Sequence, residues 1–239
     1  WFFGERPDRD ILAAGVLVLA GGNDNHAVAL GTGALEPSRA GVSIGTTTNI
    51  SALIDGLKSD PVRRLASMPT PYPDRHMVMA ENGMGGKVLE LMLGRMLFPD
   101  RPLDESLKAI DGTVGQTPPG ADGLLFLPWI NGAGSPASNS AARAGFLNIS
   151  VDTSRDHMVR ALLEGIAFNL RWLNDAVEEF IGTTFERLMF AGGGAQSDIW
   201  PQIIADILDR PVHQMAEPRF SSCKGLAFRA LARLGYLSP

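Results

Sequence analysis

Asp24 is a candidate general base, because it follows a short apolar run that ends in two glycines. The run, residues 15–20 (GVLVLA), predicts a buried strand. Ligands of open α/β sheets bind at the carboxyl ends of the strands, so this carboxylate is placed to remove a proton from a bound hydroxyl group. Aspartate is also a preferred helix N-cap, and the sequence leaves both roles open.

Residues 43–49 (SIGTTTN) predict the turn of a β-hairpin, with strands at residues 41–44 and 50–54. Gly45, Thr46 and Thr47 would offer backbone N–H groups and hydroxyls at one tip, an arrangement that cradles phosphate. A plain hairpin, in which β-branched threonines extend the strands, explains the motif as well.

Residues 188–197 (LMFAGGGAQS) predict a strand that passes through glycines into a helix over residues 198–208, with Ser197 as its N-cap. Glycines let a ligand approach the backbone closely, and a helix N-terminus presents unpaired N–H groups to an anion. The pattern is typical of nucleotide binding, although a tight strand-to-helix turn has the same sequence.

Two other nucleotide motifs fit poorly. Gly192 and Gly194 match the first two glycines of a dinucleotide-binding fingerprint, and Glu217 has the spacing of its ribose-binding acid. However, Ser197 stands in place of the third glycine, and too few residues follow Glu217 to complete such a domain. An NAD-binding oxidoreductase is therefore a less favoured alternative. Residues 85–87 (GGK) resemble the end of a P-loop, yet Val88 stands where that loop needs Ser or Thr.

Composition excludes several classes of function. The net charge is −5 with no basic patch, so a nucleic-acid partner is not expected. No apolar run approaches the roughly 20 residues of a membrane span. Cys223 is the one cysteine, which excludes a disulfide framework and favours a cytoplasmic protein. The four histidines are far apart in the sequence, so no metal site is predicted from protein ligands alone.

The spacing of apolar and turn residues predicts the remaining elements. The clearest is a helix over residues 154–181, whose apolar positions recur every three or four residues, with Thr153 and Asp156 as a capping box and Gly182 beyond its end. Further strands are predicted at residues 77–80, 124–128, 188–190 and 211–215, and further helices at residues 86–97, 103–110 and 224–234.

The order of these motifs resembles the C-terminal domain of the FGGY family of carbohydrate kinases. Residues 16–35 resemble the segment that carries the family's catalytic aspartate, especially in xylulokinases, and SIGTTTN resembles its second phosphate motif. Residues 126–150 resemble the family's C-terminal signature, and residues 191–212 its adenosine motif. The resemblance extends from about residue 11 to the end of the chain. It implies an α/β fold of the actin-like ATPase (ribonuclease H-like) class, a mixed sheet flanked by helices.

The resemblance also implies roles for single residues. Asp24 would deprotonate the sugar hydroxyl, and Gly45, Thr46 and Thr47 would contact the phosphates of ATP. The adenosine site would be lined by Gly193, Gly194, Gln196 and Ser197. Mg²⁺ would accompany ATP and neutralise charge on the transferred phosphoryl group.

At the level of the whole chain, residues 1–239 correspond to one ATP-binding domain, and the family's N-terminal sugar-binding domain has no counterpart in them. We therefore expect the isolated chain to be inactive, its partners to be a sugar, ATP and that N-terminal domain, and a homodimer to be possible. The expected substrate is a ketopentose such as xylulose. The family's charged Gly-Glu-Arg run is replaced by the uncharged residues 131–136 (NGAGSP), which favours the alternative of a non-catalytic nucleotide- or sugar-binding relative.

Overall fold

The computed structural model describes residues 19, 22, 24–34, 36, 38–70 and 74–237. The strands are β1 (Arg39–Ile44), β2 (Thr47–Ile54), β3 (Ser59–Asp60), β4 (Leu65–Pro69), β5 (His76–Met84), β6 (Leu125–Leu127), β7 (Gly145–Leu147), β8 (Arg187–Ala191) and β9 (Val212–Gln214). The α-helices are α1 (Asp24–Thr32), α2 (Gly86–Leu91), α3 (Leu103–Gln116), α4 (Arg155–Ile181), α5 (Trp200–Leu208) and α6 (Ser221–Arg233). The strand predicted at residues 15–20 lies outside the described residues, apart from Leu19.

Among the described residues, seven strands form one mixed sheet in the order β3-β4-β5-β2-β1-β8-β9. The strands from β3 to β1 pair antiparallel, whereas β1, β8 and β9 run parallel. Strands β6 and β7 form a separate antiparallel pair. Among the described strands the parallel part is thus limited to three, which does not match the doubly wound parallel sheet that an NAD-binding oxidoreductase would need.

Side chains alternate along each strand between the two faces of the sheet, and both faces are covered. Val78 and Ala80 of β5 belong to the main core, which also contains the apolar residues of α4. Met77 lies in a second cluster with Ala29 of α1, and Met79 packs against that cluster. Helices therefore cover both faces of the sheet, which confirms the predicted mixed sheet flanked by helices.

Helix α4 has the predicted length, but its N-terminal cap is displaced by one residue from the prediction. Ser154 is the N-cap: its Oγ accepts the His157 N–H at 3.2 Å, and His157 Nδ1 accepts the Ser154 N–H at 3.1 Å. The predicted pair, Thr153 and Asp156, is wrong because the Thr153 hydroxyl instead accepts the Ser150 N–H at 2.9 Å. Gly182 ends the helix with φ +85°, as predicted.

Other boundaries differ for local reasons. The hairpin turn contains two residues, 45 and 46, because β-branched Thr47 and Thr48 extend β2. Strands β3 and β4 lie outside the predicted elements, since β3 has only two residues, both polar, and β4 is a short strand that ends at Pro69. The predicted helix over residues 86–97 is α-helical to Leu91 and π-helical over Met92–Leu97. Helix α5 begins at Trp200, two residues later than predicted, with proline in its first turn.

A buried ion pair fixes α3 to α4. Arg160 Nε donates to Glu164 Oε1 at 2.7 Å, and Arg160 Nη1 donates to the carbonyl oxygens of Val114 and Thr117 at the end of α3. Glu164 Oε1 also accepts the Gly120 N–H at 3.0 Å. Because both charges are almost fully buried and hydrogen-bonded, they hold the carboxyl end of α3 in one position.

Candidate functional site

The hairpin turn (residues 45 and 46) is held by backbone hydrogen bonds from the start of α2. The Gly86 N–H donates to the Gly45 carbonyl at 2.8 Å, and the Gly85 N–H donates to the Thr46 carbonyl at 3.0 Å. A Cβ at position 86 would lie 2.5 Å from the Gly45 oxygen, so this approach requires glycine. The carbonyl groups of the turn, which would repel an anion, are therefore paired with protein donors.

The donors of the turn remain available. Thr46 is exposed, and no hydrogen bond among the described residues uses its N–H group or its hydroxyl. Thr47 begins β2 and is half-buried. A free N–H beside a free hydroxyl on a fixed turn is the donor pair that a phosphate group requires.

The glycine loop (residues 192–194) lies beside the hairpin turn. Strand β8 is the parallel neighbour of β1, with Ser43 opposite Ala191, so the loop and the turn leave adjacent strands at the same edge of the sheet. Gly192 has φ +86°, and a Cβ there would lie 2.7 Å from the Ile44 carbonyl oxygen. The N–H groups of Gly193 and Gly194 have no partner among the described residues. The two predicted motifs, residues 43–49 and 188–197, thus meet at the carboxyl ends of parallel strands although they are distant in the chain.

Gln196 and Ser197 follow the glycine loop, and they differ in exposure and in hydrogen-bond partners. Gln196 is exposed, and its amide donates to the Gly193 carbonyl at 3.1 Å. The Ser197 hydroxyl donates to Asp111 Oδ1 at 2.5 Å and accepts the Trp200 N–H at 3.0 Å. Its proton is therefore committed to Asp111 of α3, and Ser197 fixes the position of the loop through that bond.

Sequence reasoning missed Asp111 as part of this region. Its second oxygen accepts the Asp198 N–H at 2.7 Å, so one carboxylate anchors both residues that follow the loop. Asp111 lies in a polar helix segment, where an aspartate is ordinarily solvated, and nothing in the local pattern distinguishes it. The Arg160 ion pair that fixes α3 to α4 helps to hold Asp111 in place.

Asp24 is exposed at the first position of α1, and its Oδ1 accepts the Asn25 N–H at 3.0 Å. Among the described residues, no hydrogen bond or ion pair joins it to the hairpin turn or to the glycine loop. Helix α1 packs against β1, β2, β8 and α6, so it belongs to the same part of the molecule as both. Among the described residues, the structure therefore brings the hairpin turn and the glycine loop together and joins Asp24 to neither of them by a hydrogen bond or an ion pair.

The described part of the chain contains no group of three or more His, Cys, Asp or Glu side chains placed to hold a metal ion. Mg²⁺ that accompanies a nucleotide commonly binds through phosphates, water and one or two carboxylates, so such an ion does not require a group of this kind. None of the helices within the described ranges is both long and apolar enough to cross a membrane.

Comparison with known proteins gives one consistent family. Residues 40–234 match the model of the C-terminal domain of the FGGY family of carbohydrate kinases. The chain is 32% identical to the xylulose kinase of Lactococcus lactis over 230 residues, which are 94% of this chain and 44% of that protein. It is 29% identical to the gluconokinase of Bacillus subtilis over 223 residues, which are 90% of this chain and 42% of that protein.

A solved structure agrees with these relatives. The crystal structure of xylulose kinase from Rhodospirillum rubrum superposes with a TM-score of 0.77 and 29% identity, over 93% of this chain and 44% of that one. The structural neighbours of this chain are FGGY kinases, which have the actin-like ATPase fold. This confirms the predicted fold class. The chain spans less than half the length of the curated relatives it matches.

Proposed function

Because the chain belongs to the FGGY family of carbohydrate kinases, we propose that it is the nucleotide-binding part of an enzyme that transfers a phosphoryl group from ATP to a sugar hydroxyl. One observation carries the proposal: the hairpin turn and the glycine loop leave adjacent parallel strands at one edge of the sheet, and both carry donors that have no partner in the described part of the chain. Such an edge, with close backbone approach and free N–H groups, suits a nucleotide with its phosphates.

Separate residues are proposed to bind the phosphates and the adenosine of ATP. The N–H and hydroxyl of Thr46, with Gly45 and Thr47 beside it, bind phosphate oxygens. Gly193, Gly194 and Gln196 line the adenosine site, and Ser197 holds that loop through Asp111. Mg²⁺ bound with ATP supplies charge neutralisation at the phosphates. Because phosphoryl transfer depends mainly on position and electrostatics, the rigidity of both loops contributes directly to the rate.

Asp24 is proposed as the general base. The sugar hydroxyl oxygen attacks the γ-phosphorus, the bond from that phosphorus to the β–γ bridging oxygen breaks, and ADP leaves. The hydroxyl proton passes to the Asp24 carboxylate. Its exposure at the start of α1 supports this role, because a carboxylate must be reachable by a substrate bound outside the chain.

The proposed substrate class is a sugar or sugar acid of five or six carbons, with a ketopentose such as xylulose first. The xylulose kinase and gluconokinase names of the relatives support both xylulose and gluconate as test compounds. A sugar-binding N-terminal domain like that of the family is the proposed partner, since the matched relatives are more than twice as long as the matched region.

A non-catalytic relative is the second candidate, and residues 131–136 favour it. This segment is uncharged, and it is fixed by the Ser135 N–H to the Glu81 carbonyl at 3.3 Å and by the Ser135 hydroxyl to the Arg63 carbonyl at 2.7 Å. It therefore offers no charged side chain to a substrate.

The deciding experiment measures ATP binding and ADP formation with a panel of ketoses, polyols and gluconate. It uses the 239-residue chain and any longer protein that contains it. Sugar-dependent ADP formation by the longer protein supports the kinase and names the substrate. ATP binding without turnover in either supports the non-catalytic candidate, and the absence of ATP binding by both contradicts the proposal.

A further inference from the structure

The segment that follows the glycine loop is held by side chains from two other elements. Asp111 of α3 accepts a hydrogen bond from the Ser197 hydroxyl at 2.5 Å and another from the Asp198 N–H at 2.7 Å, one on each carboxylate oxygen. Gln214 of β9 donates its side-chain amide to the carbonyl oxygens of Ala195 at 2.7 Å and Ser197 at 3.1 Å. Asp111 and Gln214 are named the loop anchors below.

Both loop anchors belong to elements that are themselves fixed. Arg160 of α4 donates to two carbonyl oxygens at the end of α3, at 2.9 and 2.8 Å, and so ties the end of the helix that carries Asp111 to α4. Gln214 lies opposite Phe190 in the parallel pair of β9 with β8, and β8 is the strand that leads into the glycine loop. The loop anchors therefore transmit the rigidity of α3 and of the sheet to the segment after the loop.

The glycine loop itself has engaged acceptors and free donors. Each of its carbonyl oxygens accepts a hydrogen bond from a residue of the anchored segment: Gly192 from the Ala195 N–H at 3.2 Å, Gly193 from the Gln196 amide at 3.1 Å and Gly194 from the Ser197 N–H at 3.3 Å. The N–H groups of Gly193 and Gly194 have no partner in the described part of the chain. The loop thus presents donors to a ligand, and the residues that hold it in this state are the ones that Asp111 and Gln214 fix.

We infer that Asp111 and Gln214 are positioning residues that set the affinity of the adenosine site through the conformation of the glycine loop. This inference rests on the proposed function, because it assigns a support to the proposed adenosine site. A loop that is ordered before binding loses less conformational entropy when the ligand arrives. Without one of its anchors the segment has more conformations to lose, and the affinity for the nucleotide falls.

The test measures the dissociation constants of ATP and of inorganic tripolyphosphate by calorimetry, with the intact protein and its Asp111→Asn and Gln214→Met variants. Asparagine keeps the size of the carboxylate but lacks its charge and one acceptor oxygen, and methionine is close to glutamine in length but has no amide. Each variant is expected to weaken ATP binding by about two- to tenfold. Tripolyphosphate binding should not change, because this ligand has no adenosine and its proposed site is the hairpin turn.

Glu178→Gln is the matched control. Glu178 Oε1 accepts the Phe185 N–H at 2.7 Å, so this carboxylate also anchors a backbone N–H, in the connection that precedes β8 rather than in the one that follows it. The control should lower the free energy of unfolding in urea and leave both dissociation constants unchanged. If one of the two loop-anchor variants does not fold, the other is compared with the control in the same way.

A purely structural role of the loop anchors would give a different pattern. Asp111→Asn and Gln214→Met would then lower the free energy of unfolding without changing the dissociation constant of ATP, and this result overturns the inference alone. Equal weakening of ATP and tripolyphosphate overturns it too, as does equal weakening of ATP by Glu178→Gln. If the wild type binds no ATP, the proposed function fails together with the inference.

Discussion

At the scale of single residues, the site depends on positions that cannot carry a side chain. Gly192 combines a positive φ with ψ −174°, a region of backbone conformation that is nearly restricted to glycine. A Cβ there would also meet the Ile44 carbonyl and the Ser43 hydroxyl within 2.8 Å. The close contact between the glycine loop and the end of β1, directly before the hairpin turn, is therefore a direct consequence of a glycine at this position.

Replacing Gly192 by alanine should push the glycine loop away from the end of β1, which leads into the hairpin turn. We expect Gly192→Ala to lower the free energy of unfolding by about 3 kcal/mol, from backbone strain and steric overlap together, and to weaken ATP binding. Gly33→Ala is the matched control, because Gly33 also has a positive φ (+71°) but open space around it. The control should cost about 1 kcal/mol and leave ATP binding unchanged. Equal stability losses in urea unfolding would contradict the steric argument.

Asp24→Asn tests the general base. The amide keeps the size of the carboxylate and an oxygen that can accept the Asn25 N–H, but it cannot take up a proton. We expect the turnover rate of the active protein to fall by about 10²- to 10⁴-fold, while the dissociation constant for ATP changes little. The measurement is sugar-dependent ADP formation beside ATP calorimetry. Near-normal turnover, or loss of the folded state, would remove Asp24 from the proposed role.

At the scale of elements, α1 is positioned by a close crossing with α6. A Cβ at Gly31 would lie 1.8 Å from the Ser221 carbonyl oxygen, and a Cβ at Gly225 would lie 1.9 Å from the Ala27 carbonyl oxygen. The two backbones touch because both helices place glycine at the crossing. Since Asp24 begins α1, the orientation of the proposed base depends on this contact.

We expect Gly225→Ala to push α6 away from α1 and to lower the free energy of unfolding by about 1–3 kcal/mol. Gly112→Ala in α3 is the control, because a Cβ there would meet no atom within 4 Å. Without a steric clash, alanine should stabilise that helix by about 0.5–1 kcal/mol. Urea unfolding of both variants compares them directly, and stabilisation by both substitutions would contradict the close crossing.

At the scale of the whole molecule, the chain matches 42–44% of the length of its relatives. The described contacts bring the hairpin turn and the glycine loop together but do not join Asp24 to them by a direct bond. In-line transfer requires the sugar, the phosphate and the base to be aligned within a few tenths of an ångström. An additional domain that binds the sugar would complete this alignment.

We therefore predict that the 239-residue chain binds ATP but forms no ADP in response to a sugar, whereas a protein that also contains the sugar-binding domain does. The measurement is the rate of ADP formation at saturating ATP, with and without each sugar. A turnover by the chain alone in the usual range of about 1–10³ per second would show that no further domain is needed.

Much of this organisation followed from local pattern. Apolar spacing predicted α4, and its C-terminal glycine was placed correctly, because a long amphipathic helix with a left-handed end residue has a strong local signature. The hairpin and the strand–glycine–helix segment were predicted as elements for the same reason. The order of the motifs also gave the family and the fold class, which the comparisons confirm. The roles of the individual site residues remain predictions.

The tertiary structure alone decided which of these segments touch. The pairing of β1 with β8, the hydrogen bonds from Gly85 and Gly86 to the turn, and the bond from Ser197 to Asp111 all join residues distant in the chain. The sequence of a segment indicates which conformation that segment prefers, but it does not indicate the order in which strands pair in a sheet. That order is fixed by the burial of both faces of the sheet at once, so the neighbours of the hairpin turn, Gly85 and Gly86 among them, became visible only in the folded chain.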